Sequence, residues 1–312
     1  MRKAIYILIL VFIGFNLVAQ NEVPKPTIQV TGYIHNGKVL LRWAPDNHIR
    51  WQRANKAGYT LYRKTVIRNG KVIDNPDSIF IGRFRPAQLD SWETYADSST
   101  FAVAAEAIYG SGMEMTVTSQ SSFFEKITIA REQQNRFSIG LLCADQSFTV
   151  ALMMGLGAID STVKTNEAYL YKVQSNYTDT IGVSEVGYVL IDFSFGNLLP
   201  RPFGVTHQVN GSVVTVTMPY EPFKGIYTNF ELERSADGKN FTTVVGKDYY
   251  SMTTVEEDAQ SYIANDSVKL EASTYYYRLK GRTPFDSYGP YSDTMEVKVM
   301  PSIDAKIGRA HV

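Results

Sequence analysis

Glu167-Ala-Tyr-Leu-Tyr-Lys-Val173 sets Tyr169, Tyr171 and Val173 at alternate positions, with polar or solvent-tolerant residues between them. A period of two is the mark of a half-buried strand. Ser273-Thr-Tyr-Tyr-Tyr-Arg-Leu279 repeats it, with Tyr275, Tyr277 and Leu279 in the same register. Working outward, each copy has an upstream companion: Tyr59-Thr-Leu-Tyr-Arg63 for the first and Phe230-Glu-Leu-Glu-Arg234 for the second. The repeat predicts a mainly β chain with two domains in tandem. The spacings differ, however. Arg63 and Tyr169 are 106 positions apart and Arg234 and Tyr275 are 41, a surplus of 65 residues in the first copy.

Between the leader and the first companion strand, residues 27–31 and 38–43 alternate around His35-Asn-Gly37. Asn-Gly between apolar runs is a strong hairpin signal. Val39, Leu41 and Trp43 share one face, Pro45 ends the strand, and Asn69-Gly70 marks another turn. From residue 89 to about 155 the period changes. Phe101-Ala-Val-Ala-Ala-Glu-Ala-Ile-Tyr109 reads as a helix closed at Gly110 and Gly112. Ile127, Arg131, Phe137, Leu141, Phe148 and Leu152 approximate an amphipathic stripe over 123–155, broken near Asp145 and stopped at Gly155 and Gly157. Strand pattern returns over 158–163 and 186–193, and the turn-rich stretch 195–202 ends the first copy. In the second copy, strands are predicted over 212–218, 230–234, 241–245, 275–279 and 294–299, with 251–258 as a connecting segment.

These residues resemble the fibronectin type III fold, an Ig-like β-sandwich. The resemblance rests on Leu41-Arg-Trp43 with Pro45, Tyr59 to Arg63 and Tyr169 to Val173 in the first copy. In the second it rests on Phe230 to Arg234, Tyr275 to Leu279 and Ser287-Tyr-Gly-Pro-Tyr-Ser292. It implies two tandem sandwiches, the first with an α-helical insertion. It makes Trp43, Tyr59, Tyr169, Tyr171, Tyr275 and Tyr277 structural residues, with Trp43 between the sheets. Tyr169 and Tyr275 become corner tyrosines whose hydroxyls bond backbone at the sandwich edge. The second copy has no equivalent of Trp43 and offers Val216 or Met218. The layout resembles exported, multi-domain fibronectin-type proteins of Bacteroidetes-like bacteria. The expected organisation is a first domain over 27–193 with its insertion at about 89–155, a linker over 194–202, and a second domain over 203–299.

The ends read differently. Met1-Arg2-Lys3, an apolar run to Phe15 and the switch after Ala19-Gln20 describe a secretory signal peptide over 1–20, with a leader over 21–26. An uncleaved anchor is the alternative, and would be the chain's only membrane contact. No Cys follows the apolar core, which disfavours a lipoprotein. Export places the protein in the periplasm, on the outer surface or in the medium. Lys306-Ile-Gly-Arg-Ala-His-Val312 is what translation of a common sequencing-library adapter would give. Residues 306–312 are therefore expected to be artefactual, with 300–305 the start of a truncated linker.

Chemistry is sparse. The chain carries 31 basic and 31 acidic residues, without a basic run of the kind that binds nucleic acid. Cys143 is the single cysteine and sits in an apolar run, so it forms no intrachain disulfide and reads as a buried, inert thiol. His35, His48 and His207 lack metal-binding spacing, and neither a Gly-x-Ser-x-Gly elbow nor a phosphate-cradling loop occurs. No catalytic residue, metal or cofactor is expected. Carboxylates Glu106, Glu114, Glu125, Glu132 and Asp145 in the insertion form either an acid/base pair or an ordinary solvated face. Glu256-Glu-Asp258 is either an oxygen-ligand site for Ca²⁺ or a charged loop. The loop around Arg50, Trp51 and Arg53 could stack and charge-pair with a ligand, or Trp51 could plug the sandwich end. Tyr249 and Tyr250 are candidates for sugar stacking. Four Asp-Ser/Thr-apolar triplets, beginning at Asp77, Asp179, Asp266 and Asp293, resemble a bacterial O-glycosylation pattern.

The expected function is a non-catalytic cell-envelope or surface protein, a binding or scaffold module for a protein or glycan. The alternative is a set of accessory domains from a larger exported enzyme acting on polysaccharide. The insertion is either the binding element or a brace packed on the sheet or the second domain.

Overall fold

In the computed structural model the two tyrosine-rich stretches are the central strands of two separate sheets. The structure describes residues 27–110, 123–178, 184–246, 252–256, 259–269 and 273–300. The expected signal peptide, Gly112, Glu114, Tyr249, Tyr250, Glu257, Asp258, Asp179 and the tail over 306–312 lie outside them, as does the side chain of Glu125.

The first unit begins with the hairpin β1 (Ile28–His35) and β2 (Lys38–Pro45). Asn36 and Gly37 both take positive φ, 48° and 72°, as a two-residue hairpin turn requires. β2 also pairs with β6 (Gly157–Asp160). The facing sheet orders β4 (Lys71–Val72), β3 (Tyr59–Arg68), β7 (Glu167–Thr178) and β8 (Ser184–Asp192), with β5 (Ile79–Phe84) on the free side of β3. The second unit repeats the plan. One sheet orders β13 (Met252–Glu256), β14 (Ala259–Ser267), β10 (Val213–Pro219) and β9 (Thr206–Asn210). The other orders β12 (Thr242–Val245), β11 (Asn229–Ser235), β15 (Ser273–Arg282) and β16 (Tyr288–Tyr291), with β17 (Met295–Val299) also on β15. Two fibronectin type III/Ig-like sandwiches thus stand in tandem.

Each sandwich has its own apolar core, gathered from both of its sheets. Trp43 lies between them at 1% exposure, edge-on to Tyr59 and Phe84 at 5.9 and 5.4 Å. In the second core Val216 and Met218 are fully buried on β10.

Helices separate the sandwiches' otherwise similar plans. A 3₁₀ turn (Leu89–Tyr95), α2 (Ser99–Tyr109), α3 (Phe123–Gln146) and α4 (Phe148–Met153) fall between β5 and β6. Another helix, α1 (His48–Ala57), joins β2 to β3. The surface that the helices bury matches the expected stripe in part: Phe137 and Phe148 are in the core, and Leu141 and Leu152 pack against it. Ile129, Phe137, Cys143 and Ala144 are buried, whereas Arg131 is exposed and Ile127 half-buried. Phe137, Cys143 and Ala144 join Phe148, Val150 and Met154 in the core of the first sandwich. Leu40 and Arg42, on the outer face of β2 by alternation, are buried as well. The helices turn that face into a second interior.

Several local expectations need correction. The stretch around Arg50, Trp51 and Arg53 is not a loop but the helix α1, opened by Asn47, whose carboxamide accepts from Arg50 N at 3.0 Å. Gly110 does end α2, but with φ −57° instead of a left-handed cap; a Cβ there would collide with Glu106. The connecting segment over 251–258 contains β13, whose Met252, Thr253 and Thr254 pair with β14 before a bulge at Val255. The break in the long helical stretch comes at Ser147, two positions past Asp145.

Candidate interaction site

The residue pairs that the repeat aligned carry the same buried device in both sandwiches. Arg63 Nη1 donates to Asp160 Oδ2 at 2.7 Å, and Tyr171 Oη donates to the same oxygen at 2.9 Å. In the second unit Arg234 Nη1 and Tyr277 Oη each reach Asp266 Oδ2 at 2.8 Å. The guanidiniums also lie over Tyr169 and Tyr275, 4.8 and 5.6 Å from the ring centres. Aspartate and tyrosine are 11 positions apart in both units, while arginine and aspartate are 97 apart in one and 32 in the other. The difference of 65 falls on the helical segment. Tyr169 Oη also accepts from Lys164 N at 2.7 Å, the bond of a corner tyrosine, and burial pushes its hydroxyl up to about 12. The corresponding backbone upstream of Tyr275 lies outside the described residues.

The residues proposed for ligand contact scatter. Trp51 is 1% exposed and tilts against Phe137 at 5.9 Å, so its ring has no face for a ligand. Arg50 pairs with Asp46 and with Glu185, the latter at 2.5 Å, and Arg53 is exposed. Among the insertion carboxylates, Glu106 is exposed, Glu132 is 3.9 Å from Arg136, and Asp145 is 3.4 Å from Arg42. Arginines, not second carboxylates, are the close neighbours of the last two. Burial in the cleft pushes the Asp145 carboxyl up, and Arg42 offsets this only in part; 38% of the side chain still meets solvent there. Cys143 is buried, and its thiol is pushed up to about 11. His35, His48 and His207 stand on separate elements, and among the described residues no group of three His, Cys, Asp or Glu could hold a metal ion.

The outer face of the β11–β15–β16 sheet is charged but self-contained. Arg278 is wedged between Phe241 and Tyr291 at 3.9 and 3.8 Å and pairs with Glu233 at 2.7 Å. Lys280 pairs with Glu231 and Glu233, each at 3.1 Å, beneath Tyr288. Each cation already has a carboxylate and a ring.

The open surface lies where the two sandwiches meet. Loop 283–287, between β15 and β16, puts Phe285 into the first unit's core at 6% exposure. There it stacks on Tyr33 of β1 at 5.5 Å and meets Phe148 of α4 at 5.3 Å. Three cavities surround this contact. The largest, about 410 Å³, runs between β1, β8 and the linker and is lined by Tyr33, Ile34, Leu190, Phe195, Leu198 and Phe285 among others. Leu190, Phe195 and Leu198 stand 59%, 70% and 77% exposed. The linker is held over β1 by Asn197, whose carboxamide accepts from Ile34 N at 2.8 Å and donates to Ile34 O at 2.6 Å. A second cavity, about 330 Å³, lies on the other side of Val30 and Thr31, over Arg42, Leu141 and Asp145. The third, about 360 Å³, is polar and holds Arg282, Asp286, Gln146 and Thr100. None of the groove residues was singled out from the sequence. Phe195-Gly-Asn-Leu-Leu was visible only as a boundary, although three apolar residues in a turn-rich linker were the available signal.

No family model matches the chain, and no curated protein matches it. Among solved structures it is similar to the chicken interferon gamma receptor alpha chain at 11% identity, over 89% of this chain and 99% of that chain, with a TM-score of 0.27. At that score the likeness adds nothing to the geometry.

Proposed function

We propose that the chain is a non-catalytic binding module that takes a protein partner in the apolar groove between β1, β8 and the linker. One observation carries this: Leu190, Phe195 and Leu198 cluster at 59%, 70% and 77% exposure beside a cavity of about 410 Å³. Contiguous exposed apolar surface of this kind marks interaction sites in stable proteins. Aliphatic side chains dominate the rim, which favours a protein surface over a glycan, since sugars are held by flat rings flanked by hydrogen-bonding groups. Export to the cell envelope is part of the same reading, supported by the charged, apolar and small-residue order of residues 1–20.

A photo-crosslinking amino acid placed singly at Leu190, Leu198 and, as a control, the exposed Lys239 tests the groove in the native host. A discrete adduct from the first two positions and none from Lys239 is the expected result. Equal labelling at all three positions, or adducts from Lys239 alone, would sink the assignment.

A further inference from the structure

Three features of the junction converge on one short loop. First, it is rigid: Thr283 N donates to Ser287 O at 2.8 Å, Thr283 Oγ1 donates to the same oxygen at 3.1 Å, and Asp286 takes φ 58°. Phe285 is therefore presented at a fixed tip. Second, its charged residues fit the break between α3 and α4. Helix ends leave backbone carbonyls and amides without partners, and they carry opposite partial charge. Arg282 Nη2 donates to Gln146 O, at the end of α3, at 2.6 Å. Asp286 Oδ2 accepts from Phe148 N, at the start of α4, at 3.1 Å, and the aspartate pairs with Arg282. Third, Thr228 Oγ1 adds a bond to Asp145 O at 3.4 Å from the neighbouring turn of the second unit.

We propose that Arg282, Phe285 and Asp286 form a latch, received by the Gln146–Phe148 break of the helical insertion, that joins the two sandwiches into one body and completes the apolar groove. The latch is composite by construction. Its keeper lies in the segment that the second sandwich lacks, and its tongue lies in the second sandwich. Tandem domains usually move relative to one another unless a well-packed interface holds them. Here Phe285 is seated in the other unit's core and also lines the groove. Arg282 and Asp286 are positioning residues: they set where Phe285 stands. That the groove binds a partner rests on the function proposed above, whereas the latch itself is measurable without any partner.

The test uses the full chain with spin labels on Lys71→Cys and Lys239→Cys, exposed residues in different units; Cys143 is buried and leaves labelling to these sites. A single narrow distance distribution is expected, broadening roughly twofold or more in Arg282→Gln/Phe285→Ala. Tryptophan fluorescence should stay unchanged, since Trp43 packs on Tyr59 and Phe84, Trp51 on Phe137 and Trp92 on Phe101, all within the first unit. If that double variant fails to fold, Asp286→Ala alone replaces it: hydrogen exchange at the Phe148 amide should rise roughly tenfold on loss of its acceptor. An unchanged distribution or unchanged exchange overturns the latch. If the distribution broadens yet the Leu198 adduct persists at full yield, the claim that the latch completes the groove is overturned. If wild type yields no adduct at all, the binding role fails and the distance distribution still decides the latch.

Discussion

At the scale of single residues, the twin Arg–Asp–Tyr devices are alike in plan and unequal in burial. The side chains of Arg63 and Asp160 are 8% and 1% exposed, those of Arg234 and Asp266 29% and 9%. Removing one partner of a buried pair strands the other charge, so Asp160→Asn should cost roughly 3–5 kcal/mol. Asp266→Asn, beside a better-solvated arginine, should cost less, about 1–3 kcal/mol. Urea unfolding followed by tryptophan fluorescence reads the first change; circular dichroism is needed for the second, because the second unit has no tryptophan. The pair also has a pH signature. Burial alone pushes the Asp160 carboxyl up, but bonds from Thr162, Tyr171 and Arg63 outweigh it and hold the group below its ordinary value. The native state therefore takes up this proton at lower pH than the unfolded chain. Its stabilisation is fully present above the unfolded value of about 3.9 and is lost as pH falls through the lower native one. Between pH 7 and pH 3 the urea midpoint of wild type should fall further than that of Asp160→Asn. A different constraint acts at Gly281, where an added Cβ would run into the Tyr227 ring, whose hydroxyl donates to Pro200 O at 2.7 Å. Gly281→Ala should destabilise the second unit by roughly 1–3 kcal/mol through overpacking, read as a lower midpoint by circular dichroism.

At the scale of elements, α1 shows how a local signal can be present and still lose. Asn47 as cap, followed by Trp51 and Ala54 on one face, is a helix start. The polar run from Asp46 to Arg53 masked it, and Trp51 gained its apolar partner only from Phe137, 86 positions downstream. Asn47→Ala should cost about 1 kcal/mol, measurable as a lower urea midpoint by tryptophan fluorescence. Strands with aromatic alternation, such as β7 and β15, were legible because one face of each is decided by the sheet's own pleat. β13 was not, since Met252-Thr-Thr254 becomes a strand through pairing with β14 and carries no alternation of its own. The helical stripe was legible only in part: Phe137, Leu141, Phe148 and Leu152 do pack on the core, but Arg131 is exposed. Gly140 and Ala144 bury well yet contribute little to an apolar pattern, whereas Ile139 stands 43% exposed. The latch was invisible, and the groove showed only as the apolar residues Phe195, Leu198 and Leu199 of a turn-rich linker. Phe285 sits in a polar turn, and only tertiary structure says that the turn enters another unit's core.

At the scale of the whole molecule, the surplus of 65 residues packs as a brace does, on the sheet of the first sandwich and against the second. Phe137, Cys143, Ala144, Phe148, Val150 and Met154 are part of the first sandwich's core, and Gln146 and Phe148 also receive the latch. The two sandwiches are therefore unequal dependents. The first has covered the outer face of β2 with helices and buried Arg42 and Trp51 under them; the second closes its core with its own strands and one 3₁₀ turn. Replacing residues 89–155 by a short linker should consequently expose Trp51 and strip the Arg42 side chain of Asp145, its ion-pair partner. Losing so many large apolar contacts exceeds the stability of an ordinary domain, since each Phe-sized truncation alone costs about 3–5 kcal/mol. The expected outcome is a chain whose tryptophan emission shifts to that of solvent-exposed indole, while limited proteolysis leaves a resistant fragment beginning near the linker and holding the second sandwich. A variant that kept blue-shifted emission would show that the first sandwich closes without its helices, and that their burial serves the junction alone.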